Sequence, residues 1–238
     1  MFHSLTTRIK ALESQFRLGW GKDISTPAAR REAFWHNHLT DQAFLRLWWT
    51  NLTQVAPGVY RSNQPGANRI ARYKEMGIKT ILNLRGAEDY SYYLFEEEAC
   101  AQHGISLVPM RFHARRAPDP DMILDLIETM RGLEKPFLLH CKSGADRAGL
   151  ASAIYLLEFS GVSVESADRQ LSLRRMHLDF TATGILDYMI RVFGARLDIG
   201  GIRFSKWIER EYDPQILTEA WNNRLSWIDA ARKMQDAA

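Results

Sequence analysis

The sequence predicts an α/β fold: a central, mostly parallel sheet flanked by helices, with helical extensions at both ends. Three observations predict it. From Leu52 onward, short apolar β-type runs alternate with helical runs, the pattern of a parallel sheet, whose neighbouring strands need a crossover between them. One run, Pro136-Phe137-Leu138-Leu139, has no polar face and fits a buried strand. The stretches before 52 and after 198 carry helical patterning instead, which divides the chain into a helical extension over 1–51, an α/β domain over 52–198, and a helical extension over 199–238.

In chain order, Leu5, Ile9, Leu12 and Phe16 share one helical face. Ser25-Thr26-Pro27 is a helix start, because a hydroxyl cap followed by proline satisfies the first turn. That helix is expected to run through Phe34 and Trp35, and another to span 41–49. The aromatics Phe34, Trp35, Phe44, Trp48 and Trp49 need a partner: the domain beneath them, as a helical lid, or a membrane interface beside Arg30, Arg31 and Arg46. Strands follow at 54–55, 59–61, 80–84, 106–110 and 136–140, with helices at 66–76, 90–103 and 121–131 between them. After a helix opening at Ala148, further helices are expected at 163–175, 181–193, 204–211 and 214–234, the last started by Asp213-Pro214.

The 238 residues suit one α/β domain with helical flanks, and 46% hydrophobic with 25% charged residues is ordinary for a globular chain. A net charge of +3 gives no bulk attraction for nucleic acid. No apolar run approaches the roughly 20 residues needed to span a bilayer, and the first residues lack the order of a secretory signal. The expected location is cytoplasmic, with peripheral membrane contact through the Trp-rich helices as the alternative. Neither a metal nor another cofactor is implied: His36 and His38 are too close for a helical ligand pair and lack supporting cysteines. Cys100, in a Glu-rich helical stretch, is a packed residue or a redox partner for Cys141.

The chemistry concentrates in His140-Cys141-Lys142-Ser143-Gly144-Ala145-Asp146-Arg147. A cysteine here ends a strand, with a tight loop and a helix N-terminus beneath it. Backbone N–H groups and the positive helix end make an oxyanion site and favour the thiolate. Arg147 supplies a planar fork for two phosphoryl oxygens. The spacing of Cys141 and Arg147 alone is weak; the strand–loop–helix context strengthens it. The arrangement points to phosphate-ester hydrolysis through a covalent phosphocysteine.

The stretch 140–149 resembles the signature loop of the cysteine-dependent protein tyrosine and dual-specificity phosphatases. Residues 58–65 and 77–85 resemble the opening strands of its atypical, small bacterial members, so the likeness runs from about Leu52 to about Met176. It implies the phosphatase fold, the activity and the absence of a metal. In one departure, Ala148 stands where the family usually has Ser or Thr after the arginine. That hydroxyl helps the sulfur leave, so the resemblance implies slower breakdown of the intermediate.

A carboxylic acid must protonate the leaving oxygen. Asp146 lies inside the loop, where related phosphatases of polyphosphorylated substrates often have an aspartate; it is the first choice. Asp119 is the second, in a turn-rich segment where the family keeps its mobile acid, though closer to Cys141 than usual; it also suits a helix N-cap. His140 is expected to orient the sulfur, and Lys142 to point out toward a second anionic group. Ser143, Gly144 and Ala145 form the cradle. Arg111, Arg115 and Arg116, with His113, form a basic rim at the carboxyl edge of the sheet, where such folds bind ligands. Arg85 ends another strand at that edge. The expected substrate is a phosphotyrosine, phosphoserine or phosphothreonine protein, or a phosphorylated lipid or inositol. The alternatives are a phosphate-binding pseudophosphatase, slow or inert because of Ala148, and a rhodanese-type sulfurtransferase.

Overall fold

The computed structural model describes residues 19–238; the expected helical face of Leu5, Ile9, Leu12 and Phe16 lies outside them. Five strands form one sheet: β1 (Thr53–Ala56), β2 (Val59–Asn63), β3 (Thr80–Asn83), β4 (Ser106–Pro109) and β5 (Phe137–Cys141), in the order β1-β2-β5-β3-β4. β1 is antiparallel to β2, and the other pairings are parallel. β5 is central, hydrogen-bonded to β2 and β3, and buried along its whole length. Its carboxyl end therefore sits between the ends of two parallel neighbours, at the point where ligands approach such sheets.

Alternation along β5 separates two cores, because successive side chains point to opposite faces. Phe137, Leu139 and Cys141 face the larger one, shared with α5 (Pro120–Gly132), α6 (Asp146–Tyr155) and α8 (Ile185–Ile199). Trp207, Leu217, Ala231 and Met234 from the C-terminal helices join that same core. Leu138 faces the smaller core with Ile81, Ile70 and Tyr73 of α3 (Ala67–Glu75), and Ala99 and Cys100 of α4 (Ser91–His103). Cys100 and Cys141 are thus buried free thiols in different cores, which removes the redox-partner reading of Cys100. Burial, then the nearby Glu96 and Glu97, pushes the Cys100 thiol up to about 12, as expected of an inert packed residue.

α1 (Pro27–Trp35) begins where the hydroxyl–proline signal places it, with the Thr26 side chain accepting from Ala29 N. It lies against α4 through a two-pronged Arg30–Glu98 pair and through His36 Nδ1, 2.7 Å from Ser91 Oγ. The expected helix over 41–49 contracts to α2 (Leu45–Trp48), because Gln42 has φ +59° and Asp41 is drawn inward to bind cations. The expected 163–175 helix is α7 (Val164–Asp168) followed by a 3-10 turn, Leu173–Arg175, stopped by Met176 at φ +61°. α8 runs on to Ile199 after a 3-10 start. After α9 (Phe204–Arg210), the expected 214–234 helix is two: α10 (Pro214–Asn222) and α11 (Trp227–Ala237). Arg224 at φ +54° turns the chain between them, and Ser226 caps the second.

Candidate active site

Residues 141–147 form a loop at the carboxyl end of β5, with Asp146 and Arg147 already in the first turn of α6. The loop's carbonyl oxygens are held from outside. The backbone N–H of Gln64 donates to Lys142 O, and Asn51 Nδ2 to Gly144 O at 2.9 Å and Ser143 O at 3.4 Å. The fully buried Arg61 donates to Gly144 O at 2.5 Å and Ala145 O at 3.2 Å. In a trans peptide the N–H points opposite to the C=O. Fixing the carbonyls of residues 142–145 outward therefore turns the N–H groups of 143–146 toward the inside of the loop, where that of Ala145 already donates to Ser143 Oγ. Gly144, at φ +72°, is needed here, since a Cβ would come within 2.7 Å of Asn63 N and Ser62 O on β2. The result is a preformed ring of donors, the arrangement that binds a tetrahedral oxyanion.

Arg61, Asn51 and Gln64 were not selected from the sequence. Arg61 alternates correctly for a strand but is charged and wholly buried. Its guanidinium also donates to Gln170 O at 2.7 Å and Oε1 at 3.0 Å. Burial, and after it the neighbouring Arg175, lowers its pKa to about 9, so it stays cationic at neutral pH beneath Cys141 and Asp146. A buried charge inside a β-type run was the available signal, because such a residue must have dedicated acceptors.

The predicted residues fall into distinct places. Cys141 is buried at the base of the loop, and Arg147 is half-buried with Nη1 3.4 Å from Leu84 O. Ser143 Oγ accepts from Ala145 N at 3.3 Å. His140 turns its ring nitrogens to Glu96 and to the Cys141 carbonyl rather than to the sulfur. It follows the opposite strand face from Cys141, with Nε2 2.6 Å from Glu96 Oε1 and Nδ1 3.3 Å from the Cys141 carbonyl. Glu96 also takes hydrogen bonds from Gln64 and Asn83, tying the ends of β2, β3 and β5 to α4.

Lys142 meets a protein carboxylate, Asp41, at 3.6 Å. Arg85 binds the same carboxylate through both terminal nitrogens, at 2.9 and 2.7 Å, and its guanidinium stacks 3.6 Å from the centre of the Tyr92 ring. Arg46 completes the cluster at 2.7 Å. Burial alone would raise the Asp41 pKa, but Arg85, then Arg46 and Lys142, hold it below the usual carboxylate range. Burial pushes the Lys142 ammonium down, with Asp41 opposing that shift. Asp41 comes from the segment expected to be a plain helix, and nothing in its spacing signalled this role.

Asp146 is not paired with Arg147. Its Oδ1 lies 2.7 Å from Nδ1 of His177, whose Nε2 lies 2.5 Å from Asp187 Oδ2. Burial alone would lower the His177 pKa, but hydrogen bonds to Asp146 and Asp187 outweigh it and raise it to about 9. His177 is therefore an imidazolium at neutral pH, fixing one oxygen of Asp146. The Asp146 side chain is 27% exposed and opens onto a groove of about 420 Å³ that Arg115 and Thr183 also line. The signal for His177 was absent from the sequence, because it lies thirty-one positions beyond Asp146.

The basic rim is partly neutralised, with Arg115, on the groove beside Asp146, making no ion pair among the described residues. Arg111 pairs with Glu88 at 2.9 Å, and Arg116 reaches Asp119 at 4.0 Å. Asp119 stands at the N-cap position of α5 with no side-chain cap bond and is 62% exposed. His113 is kept below its usual pKa by burial, then by Arg116, with Asp119 opposing and Arg147 adding to the cationic side. Ala148 is fully buried in the larger core, and its carbonyl accepts from Ser152 Oγ at 2.6 Å.

A strand-end cysteine, a loop with its amides turned inward and an arginine at the start of the next helix together have the donors to hold a tetrahedral oxyanion. Residues 49–183 match the family described as DSP-PTPase phosphatase fused to NAD+ kinase, more than half of the chain. The chain belongs to this phosphatase family. It is a cysteine-dependent phosphatase of the tyrosine and dual-specificity type. The phosphatase is 26% identical to the dual specificity protein phosphatase TpbA of Pseudomonas aeruginosa strain PAO1 over 201 residues, covering 83% of this chain and 82% of TpbA. For TpbA of strain UCBPP-PA14 the identity is 26% over 170 residues, covering 71% of this chain and 69% of that one. Among solved structures, the crystal structure of P. aeruginosa TpbA aligns at TM-score 0.48 and 23% identity, covering 61% of the phosphatase and 91% of TpbA. The Siw14 catalytic core aligns at TM-score 0.48 and 18% identity, covering 76% and 94%.

Proposed function

We propose that the phosphatase hydrolyses phosphate monoesters in two displacements at Cys141. The observation that carries this reading is the outward tethering of the loop carbonyls by Gln64, Asn51 and Arg61. It leaves inward-facing amides above the cysteine, of which Ala145 N must exchange its bond to Ser143 Oγ for one to the substrate. In the first step the Cys141 sulfur attacks phosphorus, the bond from phosphorus to the leaving oxygen breaks, and a carboxylic acid protonates that oxygen. The loop amides and Arg147 hold the other phosphoryl oxygens. In the second step water attacks phosphorus, the S–P bond breaks, and the carboxylate accepts the proton from water as phosphate is released.

Asp146 is the proposed proton carrier: it lies inside the loop, borders an open groove and is held in place by His177. Asp119 is the competing assignment, favoured by its exposure beside Arg116 and His113 on the segment facing Arg147.

The substrate class follows from the charges around the loop. Lys142 and Arg85 are committed to Asp41, Arg111 to Glu88, and Arg116 lies near Asp119. With those cations engaged, Arg115 on the Asp146 groove is left with Arg147, and the loop is matched to a single phosphate ester rather than a densely phosphorylated inositol or lipid. We therefore propose a phosphorylated protein as substrate, in keeping with the dual specificity protein phosphatases it resembles.

The test is vanadate-sensitive hydrolysis of aryl phosphates by wild type, Cys141→Ser, Asp146→Asn and Asp119→Asn, followed by phosphotyrosine peptides against inositol phosphates. Loss of activity in Cys141→Ser is expected. The true acid is the aspartate whose loss matters less as the leaving group improves. Tight vanadate binding without turnover would instead make the protein a phosphate binder, with Ala148 as the cause. Faster turnover on inositol phosphates would overturn the substrate assignment.

A further inference from the structure

Behind the catalytic loop is a second cavity, of about 700 Å³, that serves none of these steps. Its walls include Trp49, Asn51 and Thr53 on one side and Arg169, Arg174 and Arg175 on the other. No Asp or Glu lines it. Among the described residues none of the three arginines forms an ion pair, and Arg175 donates instead to the neutral Thr53 Oγ1 at 2.5 Å. The pocket therefore carries net positive charge, with Arg169 partly offset by the nearby Glu165 carboxylate outside the lining and Arg174 and Arg175 facing no carboxylate among the described residues, which suits an oxyanion with several acceptor oxygens.

Chain neighbours of its walls project apolar side chains into solvent. Trp48, which precedes Trp49, is 90% exposed, and Leu47 is 70% exposed; Leu173, between Ser172 and Arg174, is 74% exposed. A basic pocket flanked by projecting Trp and Leu tips matches a membrane interface, where arginine meets headgroup phosphates and tryptophan settles among the headgroups. A soluble anion alone gives those tips no role.

We propose that this face docks on a membrane surface bearing anionic lipid headgroups, with a headgroup phosphate at Arg169, Arg174 and Arg175 and with Trp48, Leu47 and Leu173 in the interfacial layer. The contact is peripheral, since no helix among the described residues is long and apolar enough to cross a membrane. Asn51 lines the pocket and also holds the Ser143 and Gly144 carbonyls. Docking thus sets the bilayer against the outer wall of the catalytic loop.

The experiment is co-sedimentation of the full chain with phosphatidylcholine vesicles, with and without phosphatidylserine, in low and high salt. Inorganic pyrophosphate is titrated calorimetrically in parallel into wild type and into Arg169→Gln with Arg174→Gln, so that binding at the catalytic loop, common to both, is told apart from binding at the arginines. Binding only to the anionic vesicles, weakened by salt, is expected. Arg169→Gln with Arg174→Gln should weaken it on the order of 25-fold, at about fivefold for each basic residue near the surface. Trp48→Ala should weaken it about tenfold. These residues are exposed and lie outside the catalytic loop, so aryl phosphate hydrolysis in solution should be unchanged and reports that each variant is folded. Vesicle binding that both variants retain would overturn the proposal. So would absence of vesicle binding, whether pyrophosphate binds the arginines, making this a soluble-anion site, or binds nowhere. Because vesicle binding is read without turnover, its failure is separable from failure of the proposed reaction.

Discussion

Replacing Gly144 with alanine tests the bracing of the catalytic loop directly. At φ +72° an L-residue costs about 1–2 kcal/mol. The added Cβ would lie 2.7 Å from both Asn63 N and Ser62 O, which are backbone atoms of the interior strand β2 and cannot rotate away. Restoring ordinary contact at 3.4 Å requires the loop to withdraw by about 0.7 Å, the difference of the two distances. That withdrawal strains the hydrogen bonds from Asn51 at 2.9 Å and Arg61 at 2.5 Å to the Gly144 carbonyl, at about 1 kcal/mol for one of them. The total, about 2–3 kcal/mol, corresponds to a Tm fall of about 4–12 °C for a chain of this size. Since a misplacement of about 1 Å costs on the order of 100-fold, kcat/KM for an aryl phosphate should fall on the order of 30-fold or more. Steady-state kinetics and thermal denaturation are the assays. A rate within about threefold of wild type with unchanged Tm would refute the idea that β2 sets the loop. Gly144→Asn separates the two causes, because asparagine tolerates positive φ but carries the same Cβ; it should be nearly as slow.

The His177 imidazolium, raised to about 9 against an unfolded value near 6.5, contributes stability that is fully present below pH 6.5 and lost as pH rises through about 9. Tm measured from pH 6 to 10 should fall in that window for wild type and more weakly for His177→Asn, whose aryl phosphate pH–rate profile should also shift if Asp146 carries the proton; an unaltered profile would assign that work elsewhere. Asp41 has its pKa lowered, so its contribution is present above about pH 4 and lost as pH falls through the folded value. Asp41→Asn leaves Arg46, Arg85 and Lys142 without their shared anion, and chemical denaturation at pH 7 should show a loss of about 3 kcal/mol. Ala148→Ser should raise kcat on the order of tenfold and shrink any pre-steady-state burst, if breakdown of the phosphocysteine limits turnover; unchanged kcat would place the slow step before it.

The strands, the helices between them and the loop carrying Cys141 and Arg147 were legible because each rests on local pattern. A wholly apolar run marks β5, Thr26-Pro27 and Asp213-Pro214 mark helix starts, and Gly144 marks a tight turn. Boundaries failed where a residue left the helical region without a sequence signal: Gln42, Met176 and Arg224 have positive φ though none is a glycine. Tertiary contacts hold these turns, as when Asp41 abandons the expected helix to bind three cations.

The sequence by itself determined the phosphatase fold, the position of the candidate nucleophile and the residues able to cradle a phosphoryl group, because strand, loop and helix are contiguous there. Tertiary structure decided the charge state and aim of everything around them. Whether Lys142 and Arg85 face substrate or Asp41, and whether Asp146 pairs with Arg147 or His177, depends on side chains far along the chain. The same holds for His140, turned to Glu96 by strand alternation, and for the loop amides, aimed inward by Arg61 and Asn51. Electrostatic partners are chosen by distance in space, falling off within a few ångströms, and only folding sets that distance.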